Sequence, residues 1–453
     1  MDESTWTRHS SKVPRRGALP RAALAAAWLA LPGPAWAQQA PEEAKGETPK
    51  EAAAAPQPAA PVISAGPEGF SLASADKQFQ LKLRGYAQAD GRLFTRGRER
   101  PGANAFLIRR ARPLIEGTLF GLVDFRLLPD FAAGAPLLQD AYLDIHPVRE
   151  VRLRAGKFKE PFGLERLQSA TSLLFVERAL PTNLVPNRDV GLQLHGEILG
   201  GVLTYAVGAF NGVPDGGSTD LNLDDNVDLV GRLFAHPFRR TGLRPLQGLG
   251  LGFAASRGSQ HGTQQSTGEA PFRTAGQQVF FSYLTGATLA DTVVADGEHI
   301  RLSPQGYYFW GPFGLLAEYV SSTHEVRRGP EQARLRSEAW QAAASFVLFG
   351  ANASFEGVRP ARPLKPSEGS WGAVELAARY SELRIDPEAF PRFADPDRSA
   401  RVAKGWGAGA NWYLSGNTRV SFQLERTTFE GGGAGGGDRT PELVLLNRFQ
   451  VSW

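Results

Sequence analysis

From about Phe70 to the last residue, apolar and polar side chains alternate one by one in blocks of roughly ten residues separated by turn formers. Successive side chains of a β-strand point to opposite faces, so this period of two describes strands with one greasy and one wet face, not helices. Over 79–90, Phe79, Leu81, Leu83, Ala87 and Ala89 interleave with Gln80, Lys82, Arg84, Gln88 and Asp90. The same reading holds at 122–127, at 139–145 and at 418–425, where Arg419, Ser421, Gln423 and Glu425 oppose Val420, Phe422 and Leu424. A soluble two-sheet sandwich would alternate in the same way, so the strands alone do not place the chain in a membrane.

The connections separate the two cases. Tight ones at 117–121, 147–150, 200–201, 311–312 and 415–417 alternate with long ones near 96–104, 160–188, 212–225, 257–298 and 430–441. Short turns at one end and long loops at the other are the habit of outer-membrane barrels. One connection breaks the rule: 350–369 should be a turn, yet it is long and carries Pro360, Pro363 and Pro366. The expected fold is all-β, a transmembrane antiparallel barrel of about sixteen strands. A mean hydropathy of -0.26 with 51 Gly and 32 Pro is too polar for a helical membrane bundle.

Residues 1–37 read as an export signal peptide. Lys12, Arg15, Arg16 and Arg21 precede the apolar run 22–31, and Ala35-Trp36-Ala37 supplies small residues at the cleavage positions. The alternative, an uncleaved anchor, is disfavoured because the run is shorter than the roughly 20 residues a spanning helix needs and Pro32 and Pro34 break it. Residues 38–69, rich in Ala, Pro, Glu and Lys, read as a disordered periplasmic extension, and 70–453 as the barrel domain. Without the leader's five basic and two acidic residues, 45 Lys or Arg face 44 Asp or Glu, a net of +1, so the basic character gives no case for nucleic-acid binding. The chain has no Cys, which excludes disulfides, thiol catalysis and thiolate metal sites.

A charge facing lipid near the bilayer midplane costs about 2–4 kcal/mol, so strand arginines belong in the lumen. Arg110 and Arg112 share the wet face with Glu116 and Thr118. Arg109 has the opposite parity and needs a β-bulge, or a place at the rim, to reach water. Arg126, Arg178 and Arg188 are further candidates for an anion pathway, with Arg84, Arg152, Arg154, Arg232 and Arg419. Asp124, Asp140, Asp144, Glu160, Glu165, Glu177 and Asp189 sit among them, so the same lumen can be read as mixed charge that merely keeps it wet. Seven His fall in no metal-type spacing and there is no G-x-S-x-G elbow, so neither a metal, a cofactor nor catalysis is expected. The main rival to a channel is a plugged barrel acting as a surface binding or anchoring protein; an outer-membrane hydrolase is the more distant one.

Several runs carry a family resemblance. They are Phe106-Leu107-Ile108-Arg109-Arg110-Ala111-Arg112, Gly156-Lys157-Phe158-Lys159-Glu160-Pro161-Phe162-Gly163, Val176-Glu177-Arg178, Asn187-Arg188-Asp189-Val190-Gly191, Gly311-Pro312-Phe313-Gly314 and Asn447-Arg448-Phe449-Gln450. In this order they resemble the phosphate-selective porin family of the bacterial outer membrane. The resemblance implies a sixteen-stranded homotrimer in outer-membrane lipid that passes small anions such as phosphate, with the third outside loop, 160–188, folded inward as a constriction. It implies Arg109, Arg110 and Asp140 as counterparts of phosphate-coordinating residues, and adds Lys157, Lys159 and Arg166 to the pathway. The loop has few lysines past Lys159, a departure from the phosphate-selective pattern. The aromatic terminus Trp453 resembles the signal that the barrel-assembly machinery reads.

Overall fold

A computed structural model describes residues 60–96, 102–132, 134–222 and 224–453. The expected signal peptide and the extension as far as residue 59 lie outside the described residues, as do 97–101 of the first long connection. The chain enters the fold through a hairpin of β1 (Val62–Gly66) and β2 (Gly69–Ala73). The stretch 38–69, expected to be without structure, therefore ends in a strand. Phe70 faces Leu83 and Leu72 faces Leu81 across the β2–β3 ladder, apolar cross-strand pairs that tie the hairpin to the barrel.

Sixteen strands follow: β3 (Gln80–Arg96), β4 (Ala105–Leu119), β5 (Val123–Asp130), β6 (Leu137–Val148), β7 (Val151–Lys159), β8 (Arg188–Ile198), β9 (Leu203–Phe210), β10 (Asp228–Ala235), β11 (Leu249–His261), β12 (Val294–Trp310), β13 (Phe313–Arg328), β14 (Glu331–Phe349), β15 (Ala373–Arg384), β16 (Ala400–Tyr413), β17 (Thr418–Gly431) and β18 (Glu442–Ser452). Each pairs antiparallel with the next, and β18 closes on β3 from Ser452↔Tyr86 to Leu443↔Arg96. Closure leaves no open sheet edge, which a lipid environment demands of any strand structure.

The predicted alternation is the inside-outside division of this wall. In β14, Ser337, Gln341 and Ser345 are buried in the interior, while Trp340, Phe346 and Leu348, at positions of the opposite parity, are exposed on the outer face. Most tight connections lie at one end and most long ones at the other; the two-residue turn 329–330 stands at the loop end, and 236–248 is a long connection at the turn end. The exceptional segment 350–372 is indeed a long connection at the turn end. It folds inward rather than out: Phe355 stacks on Tyr307 at 4.7 Å, and its carbonyls accept bonds from Gln168 and Ser172 of the 160–187 segment.

The lumen is only partly open. One side is filled by an apolar cluster built from 160–187 (Phe162, Leu184, Val185), from 262–293 (Phe272, Phe280, Phe281, Tyr283) and from 385–399 (Phe393), packed on Phe210 and Phe429 of the wall. Burying these rings inside the barrel leaves the remaining space along the opposite wall.

Candidate functional site

The connection 160–187 between β7 and β8, the fifth and sixth barrel strands, crosses the interior and is bonded to the wall all round. Glu318 on β13 accepts the Leu164 N–H at 2.7 Å. Arg379 on β15 donates to Glu177 O at 2.8 Å, Arg419 on β17 to Leu173 O at 2.8 Å, and Gln88 on β3 to Ala170 O at 3.0 Å. A loop's buried backbone groups need such partners, and here polar lumenal side chains supply them.

Between this connection and the wall formed by β3 to β7 runs a cavity of about 1200 Å³. It reaches from Glu68, Asn417 and Trp453 at the turn end to Asn183, Pro271 and Arg273 at the loop end. Thirteen Arg or Lys line it against six Asp or Glu. Arg109, Arg110, Arg112, Arg126, Asp140, Lys159, Arg166, Arg178 and Arg188 all lie on its surface. Lys157 does not: it is buried against Asp220 of the 211–227 connection and is removed from the set. Arg273 and Arg359, which line the two ends, belong to connections and carry no strand alternation that could have marked them.

Arg109 reaches the passage through a bulge, one of the two routes its parity left open. Gln88 pairs with Arg110 and Ala89 with Ile108, which leaves Arg109 as the extra residue of β4. Its Nε and Nη2 meet the two carboxylate oxygens of Glu177 at 2.5 and 3.2 Å. Burial disfavours a charge on Glu177, yet the guanidiniums of Arg109, Arg110 and Arg448 hold its carboxyl well below the usual carboxylate range.

The cations fall into two groups. Most wall arginines are neutralised: Arg112 by Asp130 at 2.7 Å, Arg188 by Asp140 at 2.8 Å, Arg126 by Glu116 at 2.6 Å, and Arg152 and Arg154 by Asp144. Lys159, Arg166, Arg178 and Arg110 have no carboxylate oxygen within 4.0 Å among the described residues. Instead Lys159 donates to Gln168 O at 3.0 Å, Arg166 to Thr182 O at 2.6 Å, and Arg178 to Glu165 O and Gln168 O, both at 3.0 Å. Arg110 donates to the Gln88 side chain at 2.7 Å.

Backbone carbonyls fix these groups in place without cancelling their charge. Burial, followed by the charges of Arg178 and Arg188, pulls the Arg166 guanidinium down to about 9. Arginine stays protonated at neutral pH regardless, so Arg166 keeps its charge beside Arg178 and Arg188. The mixed-charge reading describes most of the wall, whereas Lys159 at the end of β7 with Arg166 and Arg178 of the 160–187 connection forms a local positive cluster beside the passage.

The family model for phosphate-selective porins O and P matches residues 79–450. Porin O of Pseudomonas aeruginosa is 23% identical over 385 residues, which is 78% of this chain and 84% of that protein. Among solved structures, the outer membrane channel DcaP of Acinetobacter baumannii aligns with a TM-score of 0.55 at 10% identity, over 84% of this chain and 99% of that one. An anion-selective porin from Comamonas acidovorans aligns with 0.53 at 9% identity, over 83% and 100%. A trimer form of OmpT from Vibrio cholerae gives 0.50 at 11% identity, over 83% and 99%. These structural likenesses bear on the fold.

Proposed function

The chain belongs to the phosphate-selective porin O and P family of the bacterial outer membrane, and from that we propose a passive channel that favours small anions over cations. The observation that supports it is the trio Lys159, Arg166 and Arg178, held by carbonyl oxygens and left without carboxylate partners beside the passage. An anion crossing there exchanges water for fixed donors, and mobile counterions of the opposite sign are repelled. Phosphate-type oxyanions suit the guanidinium fork. With a single lysine at the cluster, the site should pass phosphate without being strongly blocked by it. No step of chemistry on a substrate is part of this reading.

The test is a planar bilayer across a KCl gradient. Purified protein should open in steps, with a reversal potential of the sign set by chloride. A potential of the potassium sign would reject the reading, and block of chloride current by micromolar phosphate would reject the weak-block part of it.

Assembly follows from where the aromatics stand. Past the leader every tryptophan lies at 310 or later, and the outer faces of β12 to β17 carry Tyr308, Tyr319, Trp340, Tyr380 and Trp406. Trp and Tyr on an outer face mark contact with lipid headgroups. The outer faces of β5 to β9 are mainly aliphatic instead, with Leu127, Leu143, Leu153, Leu192 and Val207 exposed beside Phe125 and Tyr205. We therefore assign the β5–β9 wall to contacts within a homotrimer, with the aromatic side facing lipid. Because the chain has no native Cys, Leu143→Cys should give dimers and trimers with a short bismaleimide in outer membranes, and Trp340→Cys only monomers. The opposite pattern would reverse the assignment. The same reading takes 1–37 as a cleaved export leader, the residues after it as a periplasmic spacer, 160–188 as the constriction, and Trp453 as the end presented to the assembly machinery.

A further inference from the structure

On the filled side of the lumen the charge balance is reversed. His299 on β12 and His324 on β13 are direct partners in the ladder, and their rings stand 5.3 Å apart. Two connections bring carboxylates to them. Asp215 of 211–227 lies 3.3 Å from His299 Nε2, and Glu269 of 262–293 lies 3.4 Å from His324 Nε2. One donor atom each from Asp215, His299 and His324 falls within 4.8 Å of the others, and all three residues are buried.

Hydrogen bonding does not account for the whole cluster. Arg301 meets Asp215 at 2.7 Å and Asp228 at 3.2 Å. That leaves Asp215 Oδ2, Asp228 Oδ1, Glu269 Oε1 and His324 Nδ1 buried without a hydrogen-bond partner among the described residues. Three carboxylates therefore share one guanidinium, and neutral imidazoles add donors but no charge. A buried excess of negative charge with orphaned donor atoms is unfavourable unless a cation completes it.

Two imidazole nitrogens and two carboxylate oxygens are a donor set for zinc and similar first-row ions. In a tetrahedral site with bonds of about 2.0–2.2 Å, neighbouring donor atoms stand roughly 3.4 Å apart. The Asp215–His299 and Glu269–His324 separations already have that length, while Glu269 lies outside the group of three within 4.8 Å and has to move in to complete the set. Asp215 also lines the passage, which provides an entry path. We propose that Asp215, His299, His324 and Glu269 bind one divalent transition-metal ion, clamping the 211–227 and 262–293 connections onto the β12–β13 wall. Sequence spacing could not mark this site, since its four residues come from four separate segments joined only by the fold.

The test uses the full chain extracted from membranes without a histidine tag, stripped with chelator, then dialysed against Zn²⁺ and washed. Elemental analysis should find about one zinc per protomer, and Co²⁺ in its place should give the intense visible absorption of a tetrahedral ion. His299→Gln and Glu269→Gln should each lower retention by roughly tenfold or more. Heat-modifiable gel mobility reports whether each variant is folded, and Glu269→Gln, on a connection, spares the strands. Far less than one zinc on the folded native chain, or equal retention by both folded variants, would overturn the proposal.

Discussion

Replacing Lys159, Arg166 and Arg178 together by glutamine is expected to abolish the anion preference of the channel while leaving the barrel intact. Glutamine keeps an N–H donor for the carbonyls these side chains now hold, so the 160–187 connection retains its seat and only charge is removed. A unit charge about 4 Å from a permeating ion is worth roughly 1 kcal/mol in water, or about fivefold in relative occupancy. Three such charges together should lower the chloride-to-potassium permeability ratio by something on the order of a hundredfold. Arg232→Gln is the control: it removes a lumenal charge that bonds Gln305 and does not line the passage. If the triple variant, still folded, kept the native reversal potential, selectivity would have to reside at the mouths, where Arg273 and Arg359 stand.

The arrangement that yields this preference is a division of labour inside one closed sheet. The β3 to β7 wall pairs most of its arginines with aspartates and glutamates, Arg110 excepted, which satisfies buried charge but contributes little net field. The inward connection supplies Arg166 and Arg178 beside Lys159 at the end of β7, and its position is set by long polar side chains from the far wall, notably Glu318, Arg379 and Arg419. Apolar packing of Phe162, Phe280 and Phe393 fills that side of the lumen.

The strands were legible because lipid outside and water inside impose a strict period of two, and a one-residue slip would reverse every side chain. Parity was sharp enough to demand either a bulge at Arg109 or a place at the rim, and the ladder has the bulge. Parity fails where strands end. Lys157 and Lys159 look equivalent in sequence, yet Lys159 is the last residue of β7 and meets the carbonyls of the inward connection, while Lys157 meets Asp220 from a segment 63 positions away. Which partner neutralises which cation depends on pairings of that range, so the unpaired trio could not be told apart from the paired arginines. The His299–His324 pair was hidden for the same reason.

The seam where the barrel closes should be the most sensitive point of its stability. Arg448 on the last strand sits directly opposite Asp90 on the first, and their two charge-assisted bonds are both 2.7 Å. Both side chains are fully shielded, at 0% exposure. Asp90→Ala leaves a guanidinium buried without its bidentate partner, a change that costs about 3–5 kcal/mol where it has been measured. Glu177, 3.9 Å from the same guanidinium, offsets part of this by drawing Arg448 toward the 160–187 connection. Urea unfolding of the refolded barrel in detergent should therefore show a large drop for Asp90→Ala and a much smaller one for Asp90→Leu with Arg448→Leu, which removes both charges at once. Breaking the exposed Lys365–Glu368 pair should cost under about 1 kcal/mol. An unfolding midpoint that is the same for Asp90→Ala and the native chain would mean that hydrogen bonding along the β18–β3 ladder, and not this ion pair, holds the cylinder shut.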